Sequence, residues 1–263
     1  MFWRLEREIA SVGPEIHGTI FGVPIANSFL LSVGITMLLA IVAYFVIQKF
    51  KERPDSTQNI FEYIYESMLE LTTQITGSEE RSKKIFPVIG ALFVYIGIAN
   101  LIGLIPGVTS FTYKGDALFR TPTSDFNTTV GLALAMIFLI QVISIKEWGF
   151  WGYLGRFFKF KEVYQGFKQG VGAGCMAIVE FLVGLLDIIA EGAKVISLSF
   201  RLFGNMFAGE VLAVLLLSAV AFVVPALWLS LNLLFAVVQA IVFGSLVAAY
   251  YSLAVKDDAE IHN

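Results

Sequence analysis

The chain has 263 residues, of which 57% are hydrophobic and only 15% charged, and its mean hydropathy is +0.78. A water-soluble domain of this length does not need so much apolar material, so the composition indicates a polytopic α-helical membrane protein. The net charge of −3 gives no reason to expect nucleic-acid binding. A single cysteine, Cys175, excludes a disulfide framework and a cysteine-based metal site. His17 and His262 both lie outside the apolar runs, which excludes an intramembrane histidine relay.

Three apolar runs and one amphipathic segment occupy the first 145 residues. The runs predict membrane spans over residues 29–47, 85–105 and 129–145. Between the first two spans, residues 60–76 mix apolar and acidic positions at helical spacing, which predicts a helix on the membrane surface. The aromatic and basic residues 146–172 are predicted to form a loop.

The last third of the chain contains more helix than one upright crossing can use. Residues 173–223 include no proline, and Pro225 opens a final apolar run to residue 255. A helix of about 50 residues is about 75 Å long, whereas the hydrocarbon core is about 30 Å thick. This helix must therefore be steeply tilted, bent or partly outside the membrane.

The predicted fold class is an all-α polytopic membrane protein with one membrane domain, residues 1–263. It has five membrane-crossing helices and one surface amphipathic helix. The last two helices, 173–223 and 225–255, are expected to form a long, tilted, antiparallel hairpin.

The basic residues predict the orientation of the five crossings. If the crossings alternate, four basic residues lie on the side of the N-terminus: Arg4, Arg7, Lys114 and Arg120. Twelve lie on the opposite side: Lys49, Lys51, Arg53, Arg81, Lys83, Lys84, Lys146, Arg156, Lys159, Lys161, Lys168 and Lys256. Because cytoplasmic loops carry the excess of Lys and Arg, the N-terminus is expected outside and the C-terminus inside.

Five polar residues of the predicted fifth crossing share one helical face: Asp187, Glu191, Lys194, Arg201 and Asn205. For Asp187 and Lys194, a solvated or salt-bridged face explains the pattern equally well. Arg201 lies far from either helix end, where its side chain has difficulty reaching the interface. Since a mid-membrane arginine costs at least about 2.5–3.5 kcal/mol, a functional role is favoured over structural pairing.

Glu210 follows Arg201 by nine positions, which places the two side chains on opposite faces of the helix. They are therefore expected to occupy separate polar environments. Glu191 lies about 15 Å before Arg201 along the helix, and Glu210 about 13.5 Å after it. A central cation flanked by carboxylates at two depths indicates two offset ion pathways separated by an electrostatic barrier.

The last helix carries Asn232, Gln239 and Tyr250 on one face. In an antiparallel hairpin, each of these residues is expected at the depth of a polar residue on the preceding helix. Three pairs have nearly the same midpoint, at residues 220–221: Arg201 with Gln239, Glu210 with Asn232, and Glu191 with Tyr250.

The segment "SLSFRLFGNMFAGE", residues 197–210, closely resembles the signature of subunit a of F-type ATP synthases, the membrane stator beside the rotating c-ring. The similarity extends through "AVVQAIVFGSLVAAYYSLA" and, more loosely, to "IANLIGLIPG" and "TPTSDFNTT". It covers most of the chain from about residue 85, whereas the first 60 residues match only in hydropathy.

The resemblance implies roles for individual residues. Arg201 corresponds to the essential stator arginine, Gln239 supports it from the last helix, and Glu210 belongs to the outer half-channel. Asn205 and Asn100 match polar positions of the family. Some members carry an ionisable residue seven positions before the glutamine. This chain has Asn232 there, so Glu210 and water must carry the ion.

The resemblance also implies that the chain passes protons or sodium ions to and from the c-ring carboxylates, which couples ion flow to ring rotation and ATP synthesis. Its expected partners are the c-ring, the peripheral-stalk b subunits, the remaining ATP synthase subunits and the lipid bilayer. No cofactor, metal or catalytic chemistry of its own is expected. The expected location is a bacterial inner membrane.

Other functions are less compatible with the residues. A secondary transporter often shows paired half-repeats, and the sequence contains no internal repeat. A membrane enzyme would need a nucleophile, metal or redox motif that is missing here. A purely structural subunit would leave Arg201 unexplained. The coupling ion and the ring stoichiometry stay open.

Overall fold

The computed structural model describes residues 14–20, 22–49, 56–105, 112–113, 116–219 and 223–255. Within these ranges the chain forms seven α-helices and two small antiparallel hairpins. In chain order the elements are β1 Ile16–Ile20, β2 Val23–Ala26, α1 Asn27–Lys49, α2 Ser56–Thr76, α3 Glu79–Leu104, β3 Thr112–Tyr113, β4 Asp116–Ala117, α4 Phe126–Phe157, α5 Phe160–Gln169, α6 Val171–Ala219 and α7 Val223–Ala254.

Five of these helices, α1, α3, α4, α6 and α7, are long and apolar enough to cross a membrane. This confirms the predicted all-α polytopic architecture with five crossings. The surface helix predicted at residues 60–76 falls within α2, which packs against α3 and α7. Two threonines of α2, Thr72 and Thr76, are buried in this contact, whereas Ile60 and Tyr63 in its first half are exposed.

The core lies between α3 and α7, which form the most extensive helix pair among the described residues. Ile89, Phe93 and Ile96 of α3 face Phe243 and Val247 of α7, and all five side chains are buried. Because lipid tails are as apolar as these side chains, van der Waals packing and not removal from water holds the two helices together. The longer helix α6 packs against α7 of this pair, and more extensively against α4 and α5.

Two β-hairpins, which the sequence analysis does not predict, lie before α1 and before α4. β1 pairs with β2, and β3 pairs with β4. The first hairpin contacts the second, because His17 Nε2 lies 2.8 Å from the carbonyl oxygen of Ala117. Asn27 Nδ2 donates to the same oxygen over 3.3 Å. These contacts tie the start of α1 to the segment that leads into α4.

The loop predicted over residues 146–172 is mostly helical, so that prediction was wrong. α4 continues through a kink at Gly149, whose φ of +71° is a left-handed conformation that favours glycine. The end of α4 and the whole of α5 then run back along the first half of α6, where the rings of Phe160 and Phe181 lie 5.0 Å apart. Hydropathy does not reveal such a helix, because it buries only one narrow face against its neighbour.

α6 runs for 49 residues and has a length of about 74 Å. It contacts α4, α5, α7 and a 3₁₀ turn at Pro122–Ser124. α6 and α7 pack side by side and antiparallel, which confirms the predicted hairpin. Its turn, residues 220–222, lies outside the described residues. The tilt of the hairpin relative to the bilayer stays a prediction.

Candidate functional site

Arg201 points away from the bundle of its own chain. Its side chain is exposed, whereas its helix neighbours Leu198 and Leu202 are fully buried. No carboxylate in the described part of the chain forms an ion pair with it. The structure therefore presents an outward-facing guanidinium near the middle of the hairpin.

Gln239 lies on α7 opposite the same part of α6. Asn205 Nδ2, one helical turn after Arg201, donates to Gln239 Oε1 over 3.3 Å. Gln239 is only 5% exposed, and its Nε2 atom has no hydrogen-bond partner among the described residues. An unsatisfied buried donor costs about 1–3 kcal/mol, so this amide holds a hydrogen-bonding capacity that the chain itself does not use.

Asn100 of α3 links α3, α7 and the 3₁₀ turn close to the Asn205–Gln239 pair. Its Nδ2 atom donates to the carbonyl oxygen of Ala236 on α7 over 3.2 Å, and its Oδ1 atom accepts from Thr123 Oγ1 over 2.7 Å. Because the side chain is fully buried and both ends are bonded, Asn100 fixes the 3₁₀ turn against α3 and α7.

Glu210 faces the segment that precedes α4. The groups that act on its carboxylate are the hydroxyls of Ser124 and Thr121 and the guanidinium of Arg120. Arg120 itself donates through Nη2 to the carbonyl oxygen of Ser124 over 3.0 Å. Glu210 therefore lies in a polar environment separate from that of Arg201, as their spacing predicts.

Asn232 approaches the helix turn that carries Glu210. Its Nδ2 atom donates to the carbonyl oxygen of Gly209 over 3.4 Å, and Trp228 Nε1 donates to the same oxygen over 3.1 Å. A Cβ atom at position 209 would lie 2.9 Å from Asn232 Oδ1, so a larger residue there would displace the Asn232 amide. The structure thus brings Asn232 to the depth of Glu210.

Glu191 belongs to a second polar cluster, on the other side of Arg201 along α6. Its two oxygens accept from Lys194 Nζ and from Gln141 Nε2 of α4, each over 2.6 Å. Tyr153 donates to Gln141 Oε1 over 2.9 Å, and Lys194 Nζ lies 5.3 Å from the centre of the Tyr250 ring. The salt-bridged interpretation of Lys194 is thereby confirmed.

The Glu191–Lys194 pair is expected to stabilise the contact between α4 and α6. Both side chains are only 18% exposed, so replacing either by glutamine leaves a half-buried charge without its counterion. We expect Glu191→Gln to lower the free energy of unfolding in detergent by about 1–2 kcal/mol, with a coupling of about 1 kcal/mol to Lys194→Gln in a double-mutant cycle. The exposed pair Glu79–Lys83 is the control and should show no measurable coupling. Additive single effects at Glu191 and Lys194 would contradict the prediction.

Asp125 is a functional candidate that the sequence analysis did not single out. Its carboxylate is buried and accepts from Ser28 Oγ over 2.5 Å, from Thr128 Oγ1 over 2.9 Å and from the backbone nitrogen of Asn127 over 3.1 Å. It caps α4 and joins it to the start of α1. Other residues that sequence reasoning missed are Arg120, Thr121, Thr123, Ser124, Gln141, Tyr153 and Trp228. For Thr121 to Asp125 the only signal was the loose match of "TPTSDFNTT".

The described ranges contain no group of three His, Cys, Asp or Glu side chains that could hold a metal ion. The arrangement of the site is therefore one of single polar groups along a helix pair, at three depths. An outward cation lies in the middle, a polar cluster with the carboxylate of Glu210 lies beyond it along α6, and a polar cluster with the carboxylate of Glu191 lies before it.

Comparison with known proteins supports one family. Residues 29–252 match the family described as ATP synthase A chain. ATP synthase subunit a of Desulforamulus reducens is 31% identical over 92% of this chain and 85% of its own length. The sodium-ion-specific ATP synthase subunit a of Propionigenium modestum is also 31% identical, over 92% of this chain and 78% of its own length. The corresponding subunit of Campylobacter hominis is 31% identical over 88% of this chain and 89% of its length. The chain therefore belongs to the ATP synthase A chain family, as a multi-pass membrane subunit that works with the rest of the ATP synthase complex.

Proposed function

We propose that this chain is the stator half-channel subunit of a rotary ATP synthase. It passes ions to and from carboxylates of a c-ring through two offset half-channels, which Arg201 separates. The observation that carries the proposal is the exposed, outward-facing guanidinium of Arg201 without an ion-pair partner in the described part of the chain. A charge at this depth is costly, so its counterion is expected on a neighbouring subunit.

The strength of the expected ion pair fits a rotating partner. Two unit charges 4 Å apart at an effective dielectric constant near 20 attract each other by about 4 kcal/mol. One charge that crosses 100 mV gains about 2.3 kcal/mol. A driving force of one to two hundred millivolts is therefore comparable with the attraction, so a ring carboxylate can be held at Arg201 and then released. The same positive charge repels cations from a direct path between the half-channels.

The outer half-channel of the proposal ends at Glu210. Thr121, Ser124 and Arg120 are the groups that act on its carboxylate, and Asn232 donates to the carbonyl oxygen of the preceding residue, Gly209. Such closely spaced polar groups are suited to hand on a proton or a hydrated ion. They support entry from the side of the two β-hairpins, which the excess of basic residues on the opposite side predicts to be the outside.

The inner half-channel is assigned to the other polar cluster. Glu191, with Gln141 and Tyr153, lies about 15 Å from Arg201 along α6, and Tyr250 borders the cluster from α7. Gln239 and Asn205 lie between the two clusters and support Arg201. The unused Nε2 donor of Gln239 is available to a water molecule.

The location of the subunit follows from its relatives and its charges. The relatives named above are bacterial, which supports a bacterial inner membrane. The N-terminus is placed outside and the C-terminus in the cytoplasm. Because one relative is named sodium ion specific, the proposal includes Na⁺ as well as H⁺. The c-ring, the b subunits of the peripheral stalk and the remaining subunits are the proposed partners.

Ion flux in reconstituted vesicles tests the proposal against an independent transporter. The purified chain alone is expected to leave the vesicles impermeable, because ion transfer between the half-channels requires the ring. The complete ATP synthase in the same vesicles is expected to accumulate H⁺ or Na⁺ in the lumen on addition of ATP. Rapid, saturable flux of H⁺ or Na⁺ through the chain alone would show a complete internal pathway and overturn the proposal.

A further inference from the structure

A patch of partly or fully exposed aromatic and basic side chains lies at the end of α4 and along α5. We call it the basic aromatic patch, and it consists of Trp151, Arg156, Phe160, Lys161, Tyr164, Phe167 and Lys168. Trp151 is 83% exposed, and Phe160, Tyr164 and Phe167 are between 53% and 66% exposed. The patch belongs to neither polar cluster of the ion pathway.

One side of α5 packs on α6, where Phe160 lies against Phe181 and the ring of Phe167 lies against Gly174. Lys161, Tyr164 and Lys168 lie on the opposite side of α5 and are exposed. Gly166 is buried against Ala173 and Ala177 at the start of α6, and α5 lies along α6 through this contact. The helix has only 10 residues, or about 15 Å, so it cannot cross a bilayer. It connects the span in α4 to the span in α6 and therefore lies near one membrane surface.

The charges of the patch are not neutralised within the described residues. Lys159 pairs with Glu162 over 3.8 Å, whereas no described carboxylate forms an ion pair with Arg156, Lys161 or Lys168. The ammonium group of Lys168 lies 4.4 Å from the centre of the Tyr164 ring. Two acidic side chains, Glu162 and Glu180, are exposed in this region, so basic groups remain in excess.

Exposed aromatic rings beside unpaired cations match one chemical partner. Trp and Tyr concentrate at the boundary between hydrocarbon and water, and basic amphipathic helices lie in that boundary. Anionic head groups of the cytoplasmic leaflet attract Lys and Arg close to the surface. The predicted orientation places Lys161 and Lys168 on the cytoplasmic side.

We propose that the basic aromatic patch binds the phosphate head groups of anionic phospholipids in the inner leaflet. The aromatic rings insert at the level of the glycerol backbones, and Arg156, Lys161 and Lys168 contact the phosphates. Because α5 is packed on α6, this contact holds the first half of α6 at a constant depth. The inference does not depend on the ion pathway.

Fluorescence quenching in vesicles tests this lipid preference. The full chain is prepared with Cys175→Ser and Tyr164→Cys, which leaves one cysteine for an environment-sensitive label. The labelled chain is placed in phosphatidylcholine vesicles that contain a spin-labelled lipid. This lipid is either phosphatidylglycerol or phosphatidylcholine, and in both cases the spin label is on the head group. We expect spin-labelled phosphatidylglycerol to quench the label at a mole fraction about fivefold or more below that required for spin-labelled phosphatidylcholine. The chain that carries both Lys161→Gln and Lys168→Gln is expected to lose that difference.

The matched control replaces Lys83 and Lys84 by glutamine. These lysines are exposed on the same predicted side, but each is already paired, with Glu79 over 2.6 Å and with Glu80 over 3.0 Å. The control is expected to keep the preference for phosphatidylglycerol. Equal quenching by both lipids would overturn the proposal. Quenching of the label by aqueous iodide but by neither spin-labelled lipid would also overturn it. Protection from both kinds of quencher in the complete ATP synthase would show that a protein subunit covers the patch, which also overturns it.

Discussion

Arg201→Ala is expected to abolish ATP-driven ion pumping while the complex still assembles. The side chain is exposed and makes no ion pair in the described part of the chain, so its removal leaves no unpaired partner within the bundle. It does remove the attraction for the ring carboxylate, about 4 kcal/mol. At about 1.36 kcal/mol per tenfold change, the transfer rate should fall about a thousandfold. The measurement is ATP-driven accumulation of H⁺ or Na⁺ in inverted vesicles, with subunit content checked by gel.

Two companion variants distinguish the effect of the Arg201 charge from the effect of changing the exposed surface around it. Arg201→Lys keeps a positive charge, but its localised ammonium group does not reproduce the planar guanidinium, so pumping is expected to stay low. Ser197→Ala changes a neighbouring exposed residue of the same face and should pump normally. Normal pumping by Arg201→Ala would refute the proposed role of the arginine.

Glu210→Gln is expected to have the second largest effect, a fall of about a hundredfold in pumping rate. The amide keeps the size of the side chain, but it does not take up and release a proton as a carboxylate does. If the coupling ion is Na⁺, the amide also lacks the negative charge that attracts it. The measurement is initial pumping rate in the same vesicles, at equal amounts of assembled complex.

A carboxylate elsewhere on the same helix provides the control for Glu210. Glu180 is exposed near the start of α6, far from the proposed outer half-channel, and Glu180→Gln should leave the rate unchanged. ATP hydrolysis by the detached catalytic part should be equal in both variants, since neither substitution touches it. Pumping by Glu210→Gln at the rate of the control would remove this residue from the pathway.

Most of the fold could be predicted from hydropathy alone. The apolar runs at residues 29–47, 85–105 and 129–145 fall on α1, α3 and α4, because a bilayer requires about 20 apolar residues for each crossing. Residues 150–169 were missed because their helices bury a narrow face against α6. The two β-hairpins were missed because strands of two to five residues have too few positions to show an alternating pattern.

From the sequence, the candidate site could be predicted only as positions along each single helix and not as contacts between helices. Spacing placed Glu191, Lys194, Arg201 and Asn205 on one face, yet the structure separates them by environment. Glu191 and Lys194 form a half-buried ion pair against α4, whereas Arg201 is exposed. A helical face is about 100° wide, and neighbouring helices cover different parts of it.

The sequence by itself determined the number of helices long and apolar enough to cross a membrane, the length of α6 and the order of the polar residues along α6 and α7. These properties depend on the rise per residue and on the periodicity within one segment. Only the tertiary structure decided which polar groups have partners. Glu210 meets a turn almost 90 positions earlier in the chain, and Asp125 meets Ser28, 97 positions earlier. Such contacts depend on how distant helices pack, and no local pattern of residues records that packing.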